Sequence, residues 1–289
     1  MATAAPSTID PSASSGNEAG YVLGTGLDET FRLGLQHRLH SASAHRLWER
    51  AGVRPGLSVL DVGCGPGYAT MDLGQIVGPG GRVVGVDESP QFLKQLGDEA
   101  AARKMINIER VLGDAQDLTA SLGGSPAFDL AYARWVFCFL SRPEGLVRGL
   151  SSLVRPGGRV AVQDYFNYEY SIKLAPRSSA FEAVVDAVAR SWRSRGGDPD
   201  IMGRLPGMFA DAGFEIEHFG VTQRVARPGD TIWHWPKTFF ESYIPKLVGY
   251  GMIGEEAARA ALDDLRCAEA SASSFILLPS VFDLVARRR

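Results

Sequence analysis

A short apolar stretch that runs straight into a glycine-rich turn constrains this chain more than any other feature. Residues 59–67 read Val-Leu-Asp-Val-Gly-Cys-Gly-Pro-Gly. The apolar start is typical of a buried parallel strand, and the glycines let the chain reverse tightly while a ligand approaches the bare backbone. The N–H groups of a following helix would face that ligand and favour a negatively charged group. The segment therefore predicts an α/β fold with a ligand-binding loop.

Two later apolar stretches end in carboxylates that belong at the same edge of such a sheet. Residues 82–87 end at Asp87, and residues 108–112 are followed by Asp114. Because parallel strands bring their carboxyl ends together, we expect both side chains to lie beside the glycine turn. A carboxylate in the position of Asp87 can accept two hydrogen bonds from a ribose diol, so this edge fits a nucleoside cofactor.

Helical segments alternate with these strands. Helices are predicted over 67–77 and 90–104, and the sequence Ser-Arg-Pro-Glu at 141–144 reads as a capping box that opens another helix. This alternation indicates a doubly wound, mostly parallel sheet with helices on both faces and right-handed connections.

The glycine spacing resembles a known motif. Gly63, Gly65 and Gly67, with Asp61 before them, resemble motif I (E/D-x-G-x-G-x-G) of the class I S-adenosylmethionine (SAM) methyltransferases. With the strand-end carboxylates, residues 55–166 resemble the bacterial small-molecule members of that family, which include quinone-ring methylases. The resemblance implies a Rossmann-like sheet of seven strands, with the last one antiparallel. It assigns residues 128–134 to the fourth strand, 153–160 to the approach to the fifth, 214–221 to the sixth and 275–285 to the seventh.

SAM is the cofactor that the resemblance implies. In the family the glycine loop holds the methionine end, the second-strand carboxylate binds the ribose and the third-strand carboxylate accepts from the adenine amino group; here these are Asp87 and Asp114. A Tyr-containing segment before the core folds over the cofactor in similar proteins. The implied cofactor site comprises Tyr21, Gln36, Asp61, Gly63, Cys64, Gly65, Gly67, Asp87, Glu88, Asp114, Ala115 and Arg134.

Changes in composition divide the chain. Residues 1–20 are rich in Ala, Ser and Pro and are predicted to be a disordered tail; residues 21–52 form an N-terminal helical lid; residues 53–227 form the SAM-binding core. Residues 228–273 form an aromatic-rich helical insertion, and residues 274–289 carry the last strand of the core. The aromatic side chains of the insertion either pack it onto the sheet or roof an apolar substrate pocket.

Charge and cysteine content narrow the classes of partner. The net charge is −3 with Lys and Arg spread along the chain, which argues against a nucleic-acid substrate. Cys64, Cys138 and Cys267 are far apart and fit no zinc-like spacing, so no metal is predicted and a reduced intracellular protein is expected. No signal peptide or membrane span is recognised. We expect a cytoplasmic monomer or homodimer that acts on a small molecule.

The chemistry implied by the resemblance is attack of a nucleophile on a methyl group carried by a sulfonium. A general base is needed when the nucleophile arrives protonated. Asp164, after the fifth strand, is the candidate base, and Arg134, at the end of the fourth, is a candidate anchor for substrate or cofactor. His37, His40 and His234, in the two predicted lids, are rival candidates for catalysis.

Several activities fit these residues. The leading prediction is methyl transfer from SAM to O, N or S of a small, partly apolar metabolite, and methylation of a carbon in a quinone-like ring is an alternative. An NAD(P)-dependent oxidoreductase would need a G-x-G-x-x-G loop and a Tyr-x-x-x-Lys pair, which Tyr170 and Lys173 miss by one residue. A SAM-binding partner without catalysis is the third possibility.

Overall fold

The structure, a computed structural model, describes residues 27–289, with side chains from residue 29 onward. Its α-helices are α1 (Leu27–Ala51), α2 (Tyr68–Val77), α3 (Pro90–Ala102), α4 (Leu118–Leu122), α5 (Pro143–Leu153), α6 (Tyr168–Ser171), α7 (Ser179–Arg193), α8 (Leu205–Asp211), α9 (His234–Gly249) and α10 (Glu255–Glu269). Its strands are β1 (Ser58–Val62), β2 (Arg82–Asp87), β3 (Ile108–Leu112), β4 (Phe128–Arg134), β5 (Val154–Tyr165), β6 (Lys173–Ala175), β7 (Phe214–Thr222), β8 (Val225–Ala226), β9 (Phe275–Leu277) and β10 (Val281–Arg288).

The main sheet of the described chain has seven strands in the order β3-β2-β1-β4-β5-β10-β7. Strands β1 to β5 are parallel, and β10 is antiparallel to both β5 and β7. Successive strand residues point to opposite faces, so Val59 packs with α1 and α2 while Leu60 packs with α5 and α7. The predicted Rossmann-like α/β fold with helices on both faces is confirmed.

The strand order reverses at β1. The chain adds β2 and then β3 on one side of β1, and crosses to the other side for β4 and β5. In doubly wound sheets, ligands bind in the crevice outside the carboxyl ends of the strands at such a point. Asp61, in β1, lies opposite Tyr132 of β4, so the ends of these two strands line the crevice together.

The predicted strand at residues 275–285 is wrong in extent. The segment forms two strands, because the backbone leaves the extended ladder at Leu278–Ser280, where Pro279 has no N–H to donate. Strand β10 belongs to the main sheet, whereas β9 pairs with β6 and β8 in a small separate sheet. Residues 274–289 therefore contribute to two sheets.

The predicted capping box at residues 141–144 is also wrong. Helix α5 begins at Pro143, and its N-cap residue, Arg142, makes no side-chain cap. Instead, the Arg142 N–H donates to Oε1 of Gln116 at 2.8 Å and the Ser141 hydroxyl donates to the same oxygen at 3.1 Å. A side chain from the turn after β3 therefore holds the start of α5.

Helix α3 ends earlier than the sequence predicts. Ser89 caps its N-terminus by accepting from the Phe92 N–H, as expected, but the helix stops at Ala102 rather than Lys104. Lys104 has a φ of 55°, which lies outside the right-handed helical region.

Helices α1 and α9 pack against each other beside the crevice. Helix α1 occupies most of the segment predicted as an N-terminal lid, and the predicted insertion contains both α9 and α10, where the sequence indicated one helix. Helix α10 packs on α7, which lies between β5 and β7. Helix α7 is therefore a third segment of the helical layer over the crevice, and the sequence did not single it out.

Candidate active site

A cavity of about 380 Å³ lies at the carboxyl ends of β1, β2 and β4. Its size falls in the range of small-ligand sites, roughly 300–1,000 Å³. Loop and strand-end residues of the sheet line one half, which we call the strand-end half. Aromatic side chains line the other half, which we call the aromatic half.

The glycine turn forms one wall of the strand-end half. Gly63, Gly65 and Gly67 have φ values of 62°, 54° and 88°, in the left-handed region that favours glycine. A Cβ placed on Gly63 would lie 2.5 Å from a methyl group of Val136. One on Gly65 would meet nothing within 4 Å. The backbone at Gly65 therefore borders open space that a ligand can enter.

Asp87 fixes this turn and keeps acceptor capacity. Its Oδ2 accepts from the Gly65 N–H at 2.8 Å, and its Oδ1 accepts from the Ser89 N–H at 2.9 Å. Burial raises the pKa of Asp87, and these backbone hydrogen bonds oppose the rise. Since each carboxylate oxygen can accept more than one hydrogen bond, Asp87 can hold the turn and a ligand hydroxyl together.

Glu88, Asp114 and Ala115 continue the same wall. Oδ1 of Asp114 accepts from the Gln116 N–H at 2.8 Å and so caps the 3₁₀ turn that follows β3. Burial raises the pKa of Glu88, and the charges of Asp87 and Asp114 add to the rise. This end of the cavity is rich in hydrogen-bond acceptors.

Asp61 lies in the cavity wall where β1 ends, and its side chain is buried. The Thr70 hydroxyl donates to its Oδ2 at 2.6 Å. Burial raises the pKa of Asp61 to about 7, while the Thr70 hydrogen bond and the charge of Arg134 oppose the rise. The carboxyl group is therefore balanced between its neutral and ionised forms near neutral pH.

Arg134, at the end of β4, has an unused donor. Its Nη2 donates to Nδ1 of His37 at 3.0 Å, and its guanidinium lies 4.9 Å from the centre of the Trp135 ring. The guanidinium also hydrogen-bonds with the Tyr132 hydroxyl, but its buried Nη1 has no acceptor within 3.5 Å among the described residues. A buried donor left unpaired costs about 1–3 kcal/mol. Arg134 is thus suited to binding an anionic group near Asp61.

His37 supports Arg134. Because a guanidinium only donates, Nδ1 of His37 must be the acceptor, which assigns the ring proton to Nε2. That nitrogen lies 3.0 Å from Oδ2 of Asp72, which accepts the hydrogen bond. The structure brings His37 into the cavity wall with both ring nitrogens engaged, so its place is that of an orienting residue.

Gln36 joins the two helices over the cavity. Its Oε1 accepts from Nε1 of Trp235, in α9, at 2.8 Å and from Arg32, in α1, at 3.0 Å. Arg32 is held in turn by Glu29, the donor–acceptor distances being 2.5 and 2.7 Å. We call the Gln36–Trp235 hydrogen bond the clasp, since it ties α1 to α9.

Asp164, the predicted base, lies outside the cavity wall. It is fully buried in β5 and does not line the cavity. Its oxygens accept from the N–H groups of Cys138 at 3.2 Å and Tyr165 at 2.9 Å. Burial raises its pKa to about 6. The carboxyl group holds the loop after β4 against β5.

The remaining predicted residues differ in their position relative to the cavity. His234 is exposed at the start of α9 and is not brought to the cavity. Cys64 lines the cavity, but burial raises the pKa of its thiol well above the ordinary value, so it is not a nucleophile. Tyr21 lies outside the described residues.

The aromatic half combines Trp235, Phe239 and Phe240, from the predicted aromatic insertion, with residues that the sequence did not single out. The aromatic side chains that line it are Trp135, Phe139, Tyr165, Tyr168, Trp192, Trp235, Phe239 and Phe240. Trp135 directly follows the fourth-strand end and has a φ of 55°, a strained conformation for a bulky residue. Its position at the end of a strand was the sequence signal that could have marked it as a cavity residue. Trp192 lies on the buried face of α7, and no sequence signal marked it.

The described residues contain neither a metal-binding cluster nor a helix that could span a membrane. No cluster of three or more His, Cys, Asp or Glu residues in that part of the chain is arranged to hold a metal ion. None of the helices between residues 27 and 289 has the length and apolar character needed to cross a membrane.

Comparison with known proteins identifies the family. A family model described as "Methyltransferase domain" matches residues 54–195, which run from before β1 to the end of α7. Nocamycin O-methyltransferase of Saccharothrix syringae is 32% identical over 50% of this chain, and the chain covers only about half (51%) of that relative. The ubiquinone/menaquinone biosynthesis C-methyltransferase of Shewanella woodyi is 27% identical over 64% of this chain and 79% of its own.

A solved structure shows the same fold over more of the chain. Geranyl diphosphate C-methyltransferase from Streptomyces coelicolor, crystallised with Mg²⁺, geranyl diphosphate and S-adenosyl-L-homocysteine, aligns with a TM-score of 0.53 at 16% identity. The alignment covers 90% of this chain and 84% of that one. With the confirmed fold and the matching family model, the chain belongs to the class I SAM-dependent methyltransferases.

Proposed function

We propose that this enzyme binds SAM in the strand-end half of the cavity and transfers its methyl group to a small molecule in the aromatic half. The observation that carries the proposal is the pairing of Asp61 with the unused donor of Arg134 beside the glycine turn. The methionine end of SAM bears an ammonium and a carboxylate on one carbon. An acidic group and a guanidinium at neighbouring strand ends match that charge pattern.

The acceptor-rich wall suits the nucleoside end. Asp87 and Glu88 would accept from the ribose hydroxyls, and Asp114 would accept from the adenine amino group. Gly63, Gly65 and Gly67 would let the ligand pass close to the backbone, with Cys64 and Ala115 as small contact residues. Gln36 would act on the cofactor through the helix α1 that it holds in place.

The aromatic half would take the methyl acceptor. When bound, SAM supplies a methyl group made electrophilic by its sulfonium. The protein's own part is to hold both partners and exclude water, and the aromatic wall and the clasp between α1 and α9 suit that task. The relatives include O- and C-methyltransferases, so we propose an acceptor with apolar surface, methylated at O, N or S, with carbon as the alternative.

The setting we propose is a cytoplasmic enzyme that acts as a monomer or homodimer on a freely diffusing metabolite. The unpaired cysteines Cys64, Cys138 and Cys267 are in keeping with a reducing compartment. The small negative net charge offers no basic face for a nucleic-acid substrate.

Isotope transfer tests the proposed activity. The purified protein would be incubated with SAM carrying a deuterated methyl group and with a bacterial metabolite extract, and the products examined by mass spectrometry. We expect S-adenosylhomocysteine to accumulate together with at least one metabolite that carries the label. SAM binding without either product would instead indicate a non-catalytic SAM-binding protein.

A further inference from the structure

Stacked aromatic rings form a flat wall in the aromatic half of the cavity. The ring of Trp135 lies 6.1 Å from that of Tyr165 at 22° and 6.1 Å from that of Trp235 at 30°, so Trp135 stacks against both. Trp192 closes one side, with Tyr168 4.9 Å away. Flat walls of this kind favour a planar, unsaturated ligand over a branched aliphatic one.

An unpaired hydrogen-bond donor lies in this wall. The indole N–H of Trp135 is buried and has no partner in the described part of the chain. The indole of Trp192, also buried, hydrogen-bonds with the Tyr243 hydroxyl. An indole N–H can donate but not accept, so Trp135 calls for a ligand oxygen or nitrogen with a lone pair.

The charges near this half are positive. Arg195 lines the cavity and is exposed at its mouth, where its contacts with described residues are to the Ser191 carbonyl at 2.9 Å and the Tyr250 ring at 4.2 Å. The carboxyl groups in the cavity wall, by contrast, all belong to the strand-end half: they are Asp61, Asp87, Glu88 and Asp114. A negatively charged acceptor would therefore be attracted to the aromatic half and a cationic one repelled.

Two tyrosine hydroxyls in this half stay protonated. Burial raises the pKa of Tyr165 and of Tyr168. Both hydroxyls can therefore donate to a ligand oxygen.

We propose that the methyl acceptor is a planar conjugated oxyanion, an ionised enol or phenol, and that its oxygen receives the methyl group. This assignment rests on the proposed SAM-dependent activity. A lone pair of the oxyanion forms the new O–C bond while the S–C bond breaks and leaves its electron pair on sulfur. One negative and one positive charge disappear and no proton moves, so no general base is needed.

This chemistry agrees with the positions of the candidate bases. Both ring nitrogens of His37 are engaged, and Asp164 is buried behind the cavity wall. Methylation at carbon would leave a proton to be removed from the product, and neither group is placed to take it. Oxygen is therefore the favoured atom.

Three naphthalene probes of similar size test whether the cavity prefers an anionic, a neutral or a cationic ligand. At neutral pH, 2-hydroxy-1,4-naphthoquinone is an anion, 1-naphthol is neutral and 1-naphthylmethylamine is a cation. Their binding to the protein saturated with S-adenosylhomocysteine would be measured by calorimetry. We expect the anion to bind at least about tenfold more tightly than 1-naphthol, since hydrogen bonds to a charged group are worth about 1.5–3 kcal/mol, and the amine to bind most weakly.

Substitutions locate the effect. Arg195→Gln should reduce the preference for the anion severalfold, whereas Arg148→Gln, an exposed arginine on α5, should not. Trp135→Phe keeps a ring but removes the N–H and should weaken the naphthoquinone more than 1-naphthol. Equal binding of anion and neutral probe, tighter binding of the amine, or binding of none would overturn the assignment. Failure of S-adenosylhomocysteine to bind in the first step would instead refute the proposed function.

Discussion

Asp61 and Arg134 are each left incomplete by the residues around them. Asp61 is buried with one hydroxyl donor, and Arg134 has a guanidinium nitrogen with no acceptor among the described residues. Burying polar groups without full partners is unfavourable, so a pair of this kind is a mark of a binding site rather than of a stabilising core. An α-amino acid group supplies the ammonium for one and the carboxylate for the other.

The pKa of Asp61 makes cofactor binding depend on pH. Because burial raises it to about 7, the group is neutral below that pH and ionised above it. Only the ionised form attracts an ammonium, so the affinity for SAM should rise between about pH 6 and 8, approaching tenfold per unit at the acid end. Calorimetry across this range checks the slope. Asp61→Asn should flatten it, and 5′-methylthioadenosine, which lacks the amino acid, should show no such dependence.

Gly65 allows a test with a closely matched control. It has a φ of 54° and open space around its missing Cβ, and Gly213, in the turn before β7, has a φ of 88° and equally open space. Alanine at either position is strained and should lower the free energy of unfolding by about 1 kcal/mol. We expect Gly65→Ala alone to weaken SAM binding, because its methyl group enters the cavity. Equal SAM affinity in the two variants would refute the loop assignment.

At the level of elements, the clasp links two helices from opposite ends of the sequence. The Gln36–Trp235 hydrogen bond joins α1 to α9 over the cavity. A single neutral hydrogen bond contributes about 0.5–1.5 kcal/mol, so Gln36→Leu should weaken S-adenosylhomocysteine binding by roughly two- to tenfold, chiefly through faster release.

Stopped-flow release of the ligand measures this effect. Thr238→Val is the matched control, because Thr238 lies in α9 and its hydroxyl bonds only to His234 and Trp235 carbonyls of its own helix. Unchanged release in Gln36→Leu would show that α1 and α9 do not retain the ligand.

The elements differ in how far the sequence reveals them. Strands β1 to β4 and the residues at their ends were predictable, because buried parallel strands leave continuous apolar runs and the glycine turn marks where the first one stops. The start of α5 was not predictable, because an N–H group there donates to Gln116, more than twenty residues earlier in the chain. The split of β9 from β10 depends on which strands each one meets, and local sequence does not encode that.

The residues of the site also differ in how far the sequence reveals them. Asp61 and Asp87 follow from strand-end position, whereas the aromatic half is assembled from β4, β5, α7 and α9, which are distant in sequence. The position of Asp164 has a related cause. Adjacent strand residues point to opposite sides, and its carboxylate accepts from the N–H groups of Cys138 and Tyr165, which hold it away from the cavity.

The whole molecule divides charge across one cavity. Carboxyl groups from three strand ends form one half, while arginines and aromatic rings surround the other. A cationic cofactor and an anionic acceptor would each be drawn to its own half, with the sulfonium near the boundary. The central claim behind this account is that the Asp61–Arg134 pair holds the amino acid end of SAM.

Calorimetric titration of the wild type and Arg134→Gln with S-adenosylhomocysteine and 5′-methylthioadenosine tests that claim most directly. Losing a charged hydrogen bond of about 1.5–3 kcal/mol should weaken S-adenosylhomocysteine by roughly ten- to a hundredfold. Binding of 5′-methylthioadenosine, which lacks the carboxylate, should be unchanged, and Arg148→Gln should bind both like the wild type. Equal losses for both ligands, or wild-type protein that binds them equally well, would contradict the account.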